Sequence, residues 1–456
     1  MKRDILHDLT VWLHGKGRKP LVVRGARQVG KTWAVRELAA SAKVDLIELN
    51  LERNPEYADI FKERSPEKVM ITLERVLGRR IDRNGSLLFL DEIQKSPWIM
   101  ASLRWFYEEM PGFPVVATGS LLDFSLADHS FSMPVGRISY ILMEPMLFKE
   151  FLLALGEDIL VEMIGEYSPG RDVEEVVHEK VMDLFGVYVL VGGMPAIVSE
   201  WVQTRSMVAV ARAQQDLINT IADDFAKYAG RVPVDRLRKV LFSVPRFLGQ
   251  KFKFSNVDRD EKAQAMKKAL ELLCGARVCH KVIKTDGGGV PLSAQADERT
   301  FKVLLMDTGL ASGLSGLILD ERHTSGYRDL VNRGGIAEQA AGQALRVIGP
   351  GYVDPQLHYY VREKRGSEAE IDYLIALGTC VYPVEVKSGS TGTLKSLHLF
   401  MAEKKQPLAF RINTELPSVV EVDLKTTTGR HSAYRLVSLP FSLVSEIPRL
   451  KRVLLD

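Results

Sequence analysis

Eight residues, Gly25-Ala26-Arg27-Gln28-Val29-Gly30-Lys31-Thr32, constrain this chain more than any other stretch. They fit the pattern G-x-x-x-x-G-K-[ST], with the apolar run Pro20-Leu21-Val22-Val23 before them and a helix-like stretch, Lys31 to Ala42, after. A strand, a glycine-rich turn and a helix in that order gather backbone N–H groups and the positive end of a helix dipole around one anion. The glycines let the main chain curl around phosphate oxygens. Lys31 is expected to reach the β- and γ-phosphates of ATP, and the Thr32 hydroxyl to ligate Mg²⁺.

Downstream, Leu87-Leu88-Phe89-Leu90-Asp91-Glu92 is a buried-strand pattern ending in two acids, a costly arrangement unless a cation meets them. Asp91 is predicted to hold Mg²⁺ through the outer shell. Glu92 is predicted to polarise a water for in-line attack on the γ-phosphate. The next strand, Val115-Val116-Ala117, ends at Thr118-Gly119-Ser120, where Thr118 or Ser120 is the candidate to touch the γ-phosphate or the attacking water. A simple turn is the alternative there. Arg137, after Gly136, reads either as a trans-acting arginine for a neighbouring nucleotide or as half of a surface ion pair.

The surrounding pattern extends this to domains. Strand-like runs at 45–51, 86–90, 113–117 and 138–143 alternate with helix-sized stretches, which predicts a parallel α/β core over 1–145. Residues 146–230 read as a helical lid interrupted by Gly192-Gly193-Met194-Pro195. Helical patterns at 234–244 and 260–274, then strands at 278–284 and 300–306 around Gly287-Gly288-Gly289, follow the plan of a winged helix, taken as 231–330. A last unit, 331–456, starts with a helix at 336–346 and strands at 357–363, 371–377 and 381–387.

Composition narrows the class. With 46% hydrophobic and 26% charged residues in 456, disorder and collagen-like repetition are excluded. The three cysteines, Cys274, Cys279 and Cys380, are too few for a disulfide scaffold and point to a reducing compartment. Cys274 and Cys279-His280 are followed by no second ligand cluster and read as buried thiols. The N-terminus lacks a signal-peptide core, and the apolar run from Phe185 to Val198 is shorter than the ~18 residues of a span. A cytoplasmic protein without membrane contact is expected. Net charge is only +3, yet residues 231–284 carry fourteen Lys or Arg against five acids. That segment is either a DNA-binding surface or a set of solvated helix faces.

Taken together, the loop at 25–32, Asp91-Glu92, Thr118-Gly119-Ser120, Gly136-Arg137 and Glu144-Pro145-Met146-Leu147-Phe148-Lys149-Glu150-Phe151 resemble a bacterial and archaeal group of AAA+ ATPases. That group carries a C-terminal domain of unknown function similar to PD-(D/E)xK nucleases. Gly192-Gly193-Met194-Pro195 and Lys302-Val303-Leu304-Leu305-Met306-Asp307-Thr308-Gly309-Leu310 extend the resemblance, with Met306 standing where an aromatic is expected. The resemblance implies ATP binding, a winged-helix-like middle segment and homo-oligomeric assembly.

Asp372 and Glu385-Val386-Lys387 fit the D-x(n)-E-x-K pattern of that nuclease superfamily. Spacing alone makes a related argument. If Gly378-Thr379 is a two-residue hairpin turn, residues whose numbers sum to 757 face each other. Asp372 then opposes Glu385, and Glu370 opposes Lys387. Period-two alternation puts these four on one face and Ile371, Tyr373, Ile375, Leu377, Tyr382, Val384 and Val386 on the other. Opposed carboxylates repel by up to ~1 kcal/mol, which a Mg²⁺ on Asp372 and Glu385 would relieve, with Glu338 as a further ligand. Lys387 would steady developing charge on phosphorus. The alternatives are a solvated charged face, or a domain that binds without cleaving. Two functions follow: an ATPase whose nucleotide state gates a DNA-acting nuclease-like domain, or an ATP-dependent switch or scaffold that binds nucleic acid or protein.

Overall fold

A computed structural model of the chain describes residues 1–96, 98–119, 136–225, 232–316, 334–364, 367–387 and 393–455. They fall into two compact units. Met1–Glu144 with Gly275–Arg277 and Pro350–Asp354 form the first; Pro145–Cys274, Val278–Gly349 and Pro355–Asp456 form the second.

The first unit is built on five strands: β1 (Leu21–Arg24), β2 (Asp45–Asn50), β3 (Ser86–Asp91), β4 (Val115–Thr118) and β5 (Ser139–Leu142). Their order in the sheet is β2-β3-β4-β1-β5, every pair parallel. β3 and β4 are buried throughout, as a sheet covered on both faces requires. One face packs Leu88, Leu90, Val115 and Ala117 against Leu73, Leu103 and Phe106 of the helices Pro66–Leu77 and Ile99–Glu109. The helix Lys31–Ala42 buries Ala34, Val35, Leu38 and Ala39, a one-sided apolar stripe. Because the strands are parallel, the loop after β1, the acids after β3 and the hydroxyl ending β4 all emerge at one carboxyl edge.

The second unit opens with helices at Phe148–Leu155, Asp158–Glu166, Glu175–Val191, Pro195–Thr204 and Met207–Asp224, the helical stretch expected from sequence. Helices Val234–Ser243 and Ala263–Gly275 precede an antiparallel pair, β6 (Cys279–Thr285) and β7 (Ala296–Leu305). Two helices and a hairpin occur here in the order expected from sequence, but the hairpin is the end of a larger sheet. β6 pairs in parallel with β8 (Leu357–Lys364), and the sheet continues through β9 (Ser367–Leu377), β10 (Cys380–Val386), β11 (Leu408–Asn413), β12 (Ser418–Lys425) and β13 (His431–Pro440) in the order β12-β13-β11-β10-β9-β8-β6-β7. The break expected near residue 330 therefore does not divide this sheet.

The two motifs of the second unit pack on each other. Gly193 N–H donates to Asp307 Oδ2 at 2.6 Å, and Met146 N–H donates to Gly193 O at 2.7 Å. Asp307 is fully buried and caps the helix Thr308–Leu314 by accepting from Leu310 N–H. Burial pushes its carboxyl up to about 6 against the pull of the Gly193 and Leu310 amides. Gln343 and Gln339, on the helix Gly334–Arg346, continue the network to the backbone of Thr308 and Leu305.

Candidate nucleotide site and a buried acid site

Three residues of the loop after β1 have left-handed or related backbone: Gly25 (φ 151°), Gln28 (φ 62°) and Gly30 (φ 99°). At Gly25 the requirement is also steric, since a Cβ would lie 2.2 Å from the Met143 carbonyl oxygen. Arg3, which sequence reading passed over, ties the loop down. Its guanidinium, 7% exposed, donates to Val29 O at 2.7 Å and to Glu144 O at 2.6 Å. Nothing in the local sequence marks Arg3; its role exists only once the N-terminus packs under the loop.

Lys31 is buried and its Nζ donates to the carbonyls of Gly25 (2.9 Å) and Ala26 (2.7 Å). Burial pushes its ammonium down to about 8, although the nearby charges of Glu92 and Asp91 act to raise it. Because the charged form is disfavoured in the fold, stability of the unliganded protein should rise as pH passes from 8 towards 10.5. Phosphate binding needs the charged form, so nucleotide affinity should be level below pH 8 and fall by up to roughly tenfold per unit above it. A nucleotide titration across that range checks the sign; an affinity that rises above pH 8 would contradict it.

Asp91, 4% exposed at the end of β3, is the hub of the edge. Thr32 Oγ1 lies 3.2 Å from both its carboxylate oxygens, Asn50 Nδ2 donates to it at 3.2 Å, and the Glu92 amide does the same at 3.2 Å. The Thr118 hydroxyl also donates to Asp91. Thr118, one of the two candidates with Ser120 for touching the γ-phosphate or the attacking water, here spends its hydroxyl hydrogen bond on the carboxylate. Asn50 was not foreseen, though its place at the end of a parallel strand was a usable signal. A hydroxyl beside a buried carboxylate suits a hard cation, so Thr32 and Asp91 fit the Mg²⁺ expected of them. Glu92 follows with left-handed backbone (φ 57°), its carboxylate accepting from the Gln94 side-chain amide. Ser120 lies outside the described residues. Arg137 pairs with Glu108 at 3.1 Å, the surface ion pair that was one of its two readings.

The C-terminal acids depart further from expectation. The β9–β10 pairing follows the anticipated register, Leu377 with Cys380 through Tyr373 with Val384. There it stops, because Asp372 Oδ2 takes the Val386 N–H at 2.8 Å. Strict alternation also fails. Against β8, the register passes from His358↔Leu374 to Tyr360↔Ile371, one extra residue on β9, which is a bulge. Ile371 and Leu374 consequently share one apolar core with Leu397 and Phe400, whereas the Tyr373 hydroxyl donates to Glu338 O at 2.7 Å. Tyr373 thus points to the helix that carries Glu338, not to the face assigned to it.

The second correction concerns charge. Lys302 on β7, 2% exposed, places Nζ 3.0 Å from Glu338, 2.6 Å from Glu370 and 3.7 Å from Asp372. Glu370 therefore pairs with Lys302, not with Lys387, whose Nζ sits 2.6 Å from Glu385. Burial would depress the Lys302 ammonium, but Glu338, Asp372 and Glu370 together hold it above its usual range. Burial, with Asp372 nearby, pushes Glu338 up to about 8 and Glu385 up to about 7; burial raises Asp372 itself. Among the described residues no group of three or more His, Cys, Asp or Glu is arranged to hold a metal. The ligand set Glu338, Asp372 and Glu385 does not fit a divalent ion as it stands, because an ammonium already faces two of the three.

The basic segment is partly neutralised: Arg236 pairs with Glu261, Lys239 with Asp258, Arg238 with Asp223 and Lys267 with Glu271. Cys274 and Cys279 are free thiols, both pushed up by burial, and no metal group among the described residues includes them. No helix among the described residues is long and apolar enough to cross a membrane.

Residues 17–152 match the AAA domain family, 182–321 a domain of unknown function (DUF8612), and 333–424 a second one (DUF4143). No curated protein matches the chain. Among solved structures, the Aeropyrum pernix ORC1 protein in complex with DNA is similar at 15% identity, covering 68% of this chain and 90% of that one, with a TM-score of 0.28. The Thermotoga maritima RuvB Holliday junction branch migration motor is similar at 12% identity over 62% and 90%, TM-score 0.29. AMPPCP-bound DnaA from Aquifex aeolicus is similar at 12% identity over 59% and 86%, TM-score 0.26. The match to the AAA domain family over residues 17–152 takes in the glycine-rich loop after β1 and the Asp91-Glu92 pair at the end of β3.

Proposed function

We propose that the chain is a Mg²⁺-dependent ATPase whose nucleotide state controls the second unit as a molecular switch. The observation that carries this reading is the convergence of Lys31, Thr32, Asn50, Asp91 and Thr118 at one sheet edge beside the loop. On nucleotide entry Lys31 exchanges two carbonyl contacts for phosphate oxygens, which favour its charged form. Loop amides and the helix Lys31–Ala42 neutralise the triphosphate tail. Thr32 and Asp91 would hold a Mg²⁺, which when bound would supply positive charge against the triphosphate. Glu92 orients water and takes its proton as the new P–O bond forms; the bond from the γ-phosphorus to the bridging oxygen breaks, leaving ADP and phosphate. The test is titration with a fluorescent ATP analogue. Saturable binding weakened at least ~100-fold by Lys31→Ala is expected, and its absence in the unaltered protein would overturn the reading.

A second reading, cleavage of DNA by Asp372, Glu385 and Lys387, has the Lys387–Glu385 pair and the Asp372–Val386 bond in its favour, and it requires Lys302 to release its acids before a divalent ion could enter. Plasmid incubated with the protein, Mn²⁺ and ATP, beside Glu385→Ala, separates the two: equal plasmid loss in both excludes cleavage at this site. Under the switch reading the basic residues of 231–284 contribute salt-sensitive DNA binding without a metal-dependent product.

A further inference from the structure

The acid site of the second unit already contains a cation. We propose that the Lys302 ammonium is its resident positive charge and excludes divalent ions from the carboxylates of Glu338, Glu370 and Asp372. A lysine 2% exposed is costly to bury unless acids surround it. Lys302 meets three, from the helix Gly334–Arg346 and from β9, with its Nζ also 5.3 Å from the centre of the Tyr359 ring. It is rooted on a different strand from every acid it meets, so its position depends on how β7 and β6 sit beside β8. Independently, Glu385 Oε2 is buried and has no hydrogen-bond partner among the described residues, while its sister oxygen is held by Lys387. That leaves one unsatisfied acceptor at a site whose positive charge is displaced towards Glu370. Removing the Lys302 charge would leave Glu338, Asp372 and Glu385, among the described residues, with Lys387 as the cation at the site, and a divalent ion would then be the natural replacement.

This inference is independent of hydrolysis at the P-loop, and its test omits nucleotide, so the two can fail separately. Mn²⁺ alone is titrated by calorimetry into the full chain, Asp372→Asn, Lys302→Met, Lys302→Arg and the Lys302→Met/Asp372→Asn double variant. The unaltered chain and Asp372→Asn should give the same isotherm. Lys302→Met should gain one site at least tenfold tighter than anything in the unaltered chain, which the double variant loses; Lys302→Arg should gain none. Mn²⁺ binding by the unaltered chain that Asp372→Asn removes would overturn the proposal, as would a folded Lys302→Met without a new site. If Lys302→Met does not fold, the unaltered chain against Asp372→Asn still decides, with Lys302→Arg beside them.

Discussion

Glu92→Gln should bind ATP as tightly as the unaltered chain and hydrolyse it two to three orders of magnitude more slowly. The amide keeps the size and hydrogen-bonding reach of the carboxylate but cannot take a proton from water, and a positioned base contributes roughly 10²–10⁴-fold. Binding is spared because the contacts to the tail come from the loop, Lys31 and Thr32, none of which bonds to the Glu92 side chain. The left-handed backbone at residue 92 is retained, since glutamine meets the same main-chain geometry as glutamate. Steady-state phosphate release beside nucleotide affinity separates the two effects. Unchanged turnover would remove Glu92 from the mechanism, and lost affinity would mark it as structural.

The largest stability effect is expected at Gly193. A Cβ there would lie 1.9 Å from the Met146 carbonyl oxygen and 2.8 Å from that residue's backbone nitrogen and carbon. Backbone cannot swing aside as a flexible side chain can. Gly193→Ala must therefore part the Met146–Gly193 contact and draw the Gly193 amide from Asp307, leaving a fully buried carboxylate short of a donor. Overpacking and an unsatisfied buried acceptor each cost ~1–3 kcal/mol, so a loss of about 3 kcal/mol or more is expected. A thermal melt followed by circular dichroism reads it directly. A melting temperature within a degree of the unaltered chain would show that the knot yields without strain.

The P-loop and most strands and helices were legible from sequence because local rules govern them. A phosphate loop needs its glycines within eight residues, and the buried parallel strands advertise themselves as short apolar runs. The β9–β10 register followed from a two-residue turn for the same reason. The face of Tyr373 was not legible, since the bulge is a mismatch between β8 and β9, strands whose alignment no local pattern specifies.

What the sequence determined by itself was the chemistry available at the carboxyl edge: the loop, its lysine and the acids of β3, each fixed by neighbours a few residues away. Tertiary structure alone decided where distant charges meet. Arg3 reaches Val29 and Glu144, and Lys302 lies 36 residues from Glu338, closed together only when the sheet assembles. Electrostatic pairing depends on distance in space and on burial, and neither quantity is encoded in spacing along the chain.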